Sequence, residues 1–145
     1  MRSIPVRWSL LGVVLIAIVV YGGTGLVRAV RANGAGHDHT VFSAQLPNVP
    51  GKTLTAVLVE YGPGGSTPAH RHDGSVFAYV LSGQIRSENS ATGPVRVYRA
   101  GETFLEPPGS THLVSANASD TERASLLAVF VGRPRTVDST CSLIA

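Results

Sequence analysis

His70 and His72 stand two residues apart, and His112 follows 40 residues after the second of them. Glycine and proline mark both segments: Gly64-Gly65-Ser66-Thr67-Pro68-Ala69-His70-Arg71-His72, and Gly101-Glu102-Thr103-Phe104-Leu105-Glu106-Pro107-Pro108-Gly109-Ser110-Thr111-His112. In a strand, residues i and i+2 point to the same face. His70 and His72 can therefore aim both imidazoles at one point. A third histidine on a neighbouring strand completes a three-nitrogen cap for a divalent transition metal, and neutral imidazole suits Zn, Fe, Cu and Ni. A chain built this way has to bring separate short strands close together.

The rest of the chain after residue 40 supplies such strands. Thr53 to Tyr61 is rich in β-branched and aromatic residues and stops at Gly62-Pro63-Gly64-Gly65. Val76 to Leu81 is a short apolar run ending at Ser82-Gly83. Ala91-Thr92-Gly93-Pro94 separates Gln84–Asn89 from Val95–Arg99 like a hairpin connection. Phe104-Leu105-Glu106 and His112 to Ser115 flank the Pro107-Pro108-Gly109 turn, and Leu126 to Val131 is the last strong strand. Short strands at close spacing predict a sandwich or barrel.

The spacing resembles the cupin superfamily, small single-domain bacterial members in particular. The first cupin motif reads G-x5-H-x-H-x(3 or 4)-E-x6-G, and Gly64, His70, His72 and Gly83 match it. The second reads G-x5-P-x-G-x2-H-x3-N, and Gly101, Pro107, Gly109 and His112 match it, with the asparagine one residue late at Asn117. The stretch between the motifs, residues 84 to 100, is short, as in small bacterial cupins. The resemblance covers residues 40 to 133. It implies an all-β, antiparallel jelly-roll barrel, a divalent metal (Fe, Mn, Ni, Cu or Zn) and a small organic ligand or substrate. It also implies a homodimer.

One position departs from the pattern. Val76 stands where the family's glutamate ligand is expected, and Phe77 is no carboxylate either. The expected site is then His70, His72 and His112 alone, as some cupin-type dioxygenases use, with Val76→Glu expected to tighten metal binding. The alternative is a barrel that binds a small molecule with weak metal binding or none. Glu106, next to Pro107 in the second motif, is the candidate catalytic carboxylate: a replacement ligand, a partner of a ligand, or a general base. If the parity of the strand survives Asp73-Gly74-Ser75, Val76, Ala78 and Val80 share the face of His70 and His72. Val76, Phe77, Tyr79, Val80 and Phe104 are the candidate apolar wall.

Charge narrows the partners. Of the twelve Lys and Arg, Arg2, Arg7, Arg28 and Arg31 lie in the first 32 residues, which contain no acid. Eight basic residues then face nine acidic ones, so no basic patch is left for a nucleic acid. The single cysteine, Cys141, has no internal disulfide partner, and no cysteine in the motifs can make a thiolate zinc site.

Residues 8 to 21 form an apolar run of 14 residues preceded by two arginines, and the uncharged stretch extends to residue 27. That composition fits a signal peptide or a transmembrane anchor over residues 1 to 32. Either places the barrel outside the cytoplasm, membrane-anchored or secreted. Residues 33 to 39, with His37 and His39 flanked by glycine, read as a flexible tether, the barrel as 40 to 133, and 134 to 145 as a C-terminal tail.

Overall fold

The computed structural model describes residues 36 to 134 and 142 to 143. The signal or anchor expected over residues 1 to 32, and Cys141, lie outside the described residues. Among the described residues no helix is long and apolar enough to cross a membrane.

The described residues form eleven strands: β1 (His37–Gln45), β2 (Thr53–Tyr61), β3 (Ser66–Thr67), β4 (His70–Arg71), β5 (Ser75–Ser82), β6 (Gln84–Asn89), β7 (Gly93–Arg99), β8 (Thr103–Glu106), β9 (Thr111–Asn117), β10 (Ala124–Gly132) and β11 (Ser142–Leu143). They form two antiparallel sheets. The first runs β1-β2-β10-β5-β8, and the second β11-β4-β9-β6-β7, with β3 also on β9. This is the all-β jelly roll that the turn-bounded strand pattern predicts.

Strand alternation sorts the side chains. On β5, Val76, Ala78 and Val80 are buried, while Phe77 and Tyr79 between them are exposed. The parity set by His70 and His72 therefore carries through Asp73-Gly74-Ser75. It also corrects the expected wall, because Phe77 (45% exposed) and Tyr79 (39%) face outward. Gly74 makes this possible. A Cβ there would stand 2.5 Å from the Val131 carbonyl oxygen, so only glycine lets the chain after His72 press against β10. Gly83, at φ +66°, turns the chain from β5 into β6, and a Cβ would meet the Arg123 carbonyl oxygen at 2.5 Å.

Val80 and Ile85 are fully buried and fill the barrel beside Ala124 and Leu126. Each contributes roughly 1.5–3 kcal/mol by leaving water. Asn117 is buried near this end. It donates to the carbonyls of Gly62 (2.9 Å) and Glu122 (2.7 Å) and accepts from the Ser119 amide, so this motif asparagine ties loops together.

Two boundaries differ from expectation. Residues 37 to 39 are not a tether: His37, Asp38 and His39 pair with Glu60, Val59 and Leu58 as the start of β1. The ladder bonds come from backbone groups, which explains why polar side chains and flanking glycines did not prevent a strand. Part of the tail also joins the barrel, with Ser142 opposite Arg71 and Leu143 opposite His70.

Candidate metal centre

Two strands of the second sheet, and the residue just beyond one of them, present the histidines. His70 lies in β4 directly opposite His112 in β9, and His72 follows one residue beyond β4. All three are buried. The ring centroids of His70 stand 4.7 Å from those of His72 and 5.0 Å from those of His112. The expected convergence of His70, His72 and His112 is present.

The fourth group comes from the other sheet. Glu106 ends β8 and sits directly opposite Val76 on β5. Residues facing each other across an antiparallel ladder point to the same side. The carboxylate absent from position 76 is thus supplied one strand over, at the same level. Val76 and Glu106 are 1% and 3% exposed, so both point inward. Glu106 Oε1 is 3.2 Å from His112 Nδ1, and Oε2 is 3.7 Å from His72 Nε2. One donor atom from each of His70, His72, Glu106 and His112 lies within 4.8 Å of all the others, a group that could hold a metal ion. Glu106 thus joins the three histidines in the group, the place that a replacement ligand would take.

The chemistry of the four donors fits a divalent transition metal. Glu106 Oε2 is buried and has no hydrogen-bond partner among the described residues, a costly state that a cation relieves. Donors on opposite sides of a metal, each at about 2.1 Å, stand at most about 4.2 Å apart. The observed span of 4.8 Å needs only small side-chain shifts to close. His70 donates its Nδ1 proton to the Pro68 carbonyl at 2.8 Å, which leaves Nε2 with a free lone pair. His112 turns Nε2 to the Ser87 hydroxyl at 2.8 Å and Nδ1 to Glu106.

Burial sets the protonation states. It is the main cause that lowers the His112 pKa to about 3, with His70 and His72 adding to it. His70 is lowered too, again chiefly by burial. His112 is neutral in ordinary buffers, so its approach to Glu106 is no ion pair. Burial raises Glu106 to about 7 against the opposing hydrogen bond from Asn89. Without a metal, the Glu106 carboxyl keeps its proton up to about pH 7, well above the usual carboxylate range, and ligation requires its release.

A cavity of about 320 Å³ opens onto the four side chains. Its walls are largely apolar, including Val57, Val59, Ala78, Leu126, Ala128 and Phe130. Phe104 lines it as well, and packs on Tyr98 at 4.8 Å between ring centroids. Tyr61, which sequence reasoning passed over, is buried in its wall and hydrogen-bonds Thr67 at 2.7 Å and Ser115 at 2.8 Å. A second cavity of about 340 Å³ shares His72 and Phe130 with the first and carries Arg133.

The family model for the cupin domain matches residues 57–130. The chain belongs to this cupin family. The auxin-binding protein ABP19b of Prunus persica is 28% identical over 108 residues, covering 70% of the chain and 50% of that protein. The chain spans about half the length of the curated relatives it matches, 50% and 46%. Among solved structures, an oxalate oxidase in complex with the substrate analogue glycolate is 26% identical at TM-score 0.53, over 68% of this cupin and 51% of that chain. A cupin domain from Bordetella pertussis covers 68% of this chain and 94% of its own at TM-score 0.52. At 17% identity it speaks to the fold alone.

Proposed function

We propose that this cupin binds a divalent transition metal through His70, His72, His112 and Glu106, and acts as a metal-dependent enzyme of dioxygenase-like type on a small organic molecule. The observation that carries the reading is the buried Glu106 carboxylate, one oxygen unpartnered, among three buried imidazoles. The residues divide the work. His70 and His112 are held by Pro68 and Ser87 so that each can present a lone pair to the centre. Glu106 supplies the single negative charge and gives up its proton on binding. The apolar walls exclude water and hold the organic part of the substrate. A metal bound by these four side chains supplies a Lewis acid with coordination positions left for substrate and dioxygen. The similarity to an oxalate oxidase supports an oxidative reading. Elemental analysis of the purified protein together with substrate-dependent oxygen uptake tests it. Metal at one per chain with uptake supports the enzyme; no metal after reconstitution refutes it.

The auxin-binding relatives, named for a ligand they hold, favour a second reading: a non-catalytic cupin that captures a small molecule. Tight ligand binding with no turnover in the metal-loaded protein selects it. We also propose that the barrel works outside the cytoplasm, on the basic start and apolar run of residues 8 to 21. Full-length protein confined to the soluble cytoplasmic fraction refutes this.

A further inference from the structure

Resting on the metal reading above, we infer that the cavity takes a small neutral or singly acidic molecule with an apolar body, and that Asp38 rejects ligands carrying a second negative charge. Among the described residues, none of those lining the cavity is a lysine or arginine, and the carboxylates there are Glu106 and Asp38. A divalent cation beside Glu106 leaves one positive charge at the centre. One carboxylate, enolate or phenolate of a ligand neutralises it. A second anionic group meets apolar wall, where burying it unpaired is strongly unfavourable.

Asp38 adds to that rejection. It is exposed yet lines the cavity, which puts it at the open side that an incoming ligand passes. Burial is the main cause that raises the Tyr61 phenol, and the Asp38 charge adds to it only in small part. Pairing with Val59 across the β1–β2 ladder fixes its place. Arg133, a cation that could offset it, lines the neighbouring cavity instead. The wall also carries three hydroxyls, those of Tyr61, Thr67 and Ser115, joined by two hydrogen bonds.

The test uses the full chain loaded with Co(II), whose visible absorption reports ligands at the metal. At pH 8 it is titrated with 4-methylbenzoate and with terephthalate, which match in size but differ by a methyl against a second carboxylate. The expected result is that 4-methylbenzoate shifts the spectrum and binds at least about 100-fold more tightly than terephthalate. Asp38→Lys, at an exposed position where the fold is safe, should cut that ratio by about tenfold, mostly by strengthening terephthalate. Equal binding, tighter terephthalate, or no spectral response to either acid overturns the proposed ligand class. A ratio unmoved by Asp38→Lys overturns the role of Asp38. Failure to take up Co(II) is read before any acid is added; it overturns the metal reading and this inference with it.

Discussion

The two sheets put unlike groups into one centre. The second sheet offers neutral donors, His70 and His112 from paired strands with His72 just beyond β4. The first sheet offers a single residue there, Glu106, opposite Val76. The difference lies in what burial costs. An imidazole kept out of water becomes a better neutral ligand, because burial removes its proton. A carboxyl kept out of water holds its proton to higher pH and gives it up less readily to become a ligand. The histidines thus agree with the fold, whereas Glu106 opposes it until a cation arrives. A residue that burdens the metal-free barrel has its explanation in function.

Removing a neutral donor should do the most damage. His112→Ala leaves the two imidazoles of one short segment and a carboxylate across the barrel. Metal affinity is expected to fall by at least about 1,000-fold, read by competition with a chromogenic chelator.

Next comes the exchange between the facing positions. Glu106→Val should weaken metal binding by about 100-fold. The double variant Val76→Glu/Glu106→Val moves the carboxylate across the ladder and should recover affinity to within about tenfold of wild type. Val76→Glu alone should not tighten binding, since two buried carboxylates would then crowd one level. Recovery in the double variant is the outcome that establishes equivalence of the two strands; tighter binding by Val76→Glu alone would break it.

The burden on the fold can be measured without metal. The Glu106 pKa of about 7 lies above its ordinary 4.5, so the stability it contributes is present below 4.5 and lost as pH rises through 7. That interval is worth at most roughly 3 kcal/mol. Glu106→Gln should therefore stabilise the metal-free protein at pH 8 by up to that amount and leave it unchanged at pH 4, by urea unfolding. His112 has the opposite sign: its contribution is present above 6.5 and lost as pH falls toward 3. It is common to both proteins and drops out of the difference.

The smallest expected effect is the pH slope of metal binding. Below about 7, Glu106 must lose a proton to ligate, so affinity should fall by about tenfold per pH unit there and level off above. Calorimetry in buffers of different ionisation enthalpy counts the proton released. Glu106→Gln should flatten the slope in this region, because His112 is neutral throughout it.

What could be read along the chain follows from the range of the interactions. The strands from Thr53 onward announce themselves through local runs of Val, Ile, Leu, Tyr and Phe closed by glycine and proline. The three histidines are legible because their spacing within short segments is itself the signal. Glu106 was legible only as a carboxylate near the site. That it faces Val76 depends on strand register, a long-range property that neither segment contains. β1 as a whole was not legible, and its first three residues read as a tether, for a similar reason: an edge strand is held by its partner's backbone. Phe77 and Tyr79 were misplaced because hydrophobicity says nothing of direction, whereas alternation from Val76 does.

The position of Glu106 also has a consequence for descent. A carboxylate cannot cross from β5 to β8 in one substitution, so any lineage joining the two arrangements passes through a form with two acids at that level or none. The doubly acidic form keeps a metal ligand throughout and pays in stability of the metal-free barrel; the acid-free form keeps a stable barrel and loses metal. Where metal is abundant the first route is open, since the cation offsets the repulsion. The linear signature of the site can then vanish from one motif while the environment of the metal stays the same.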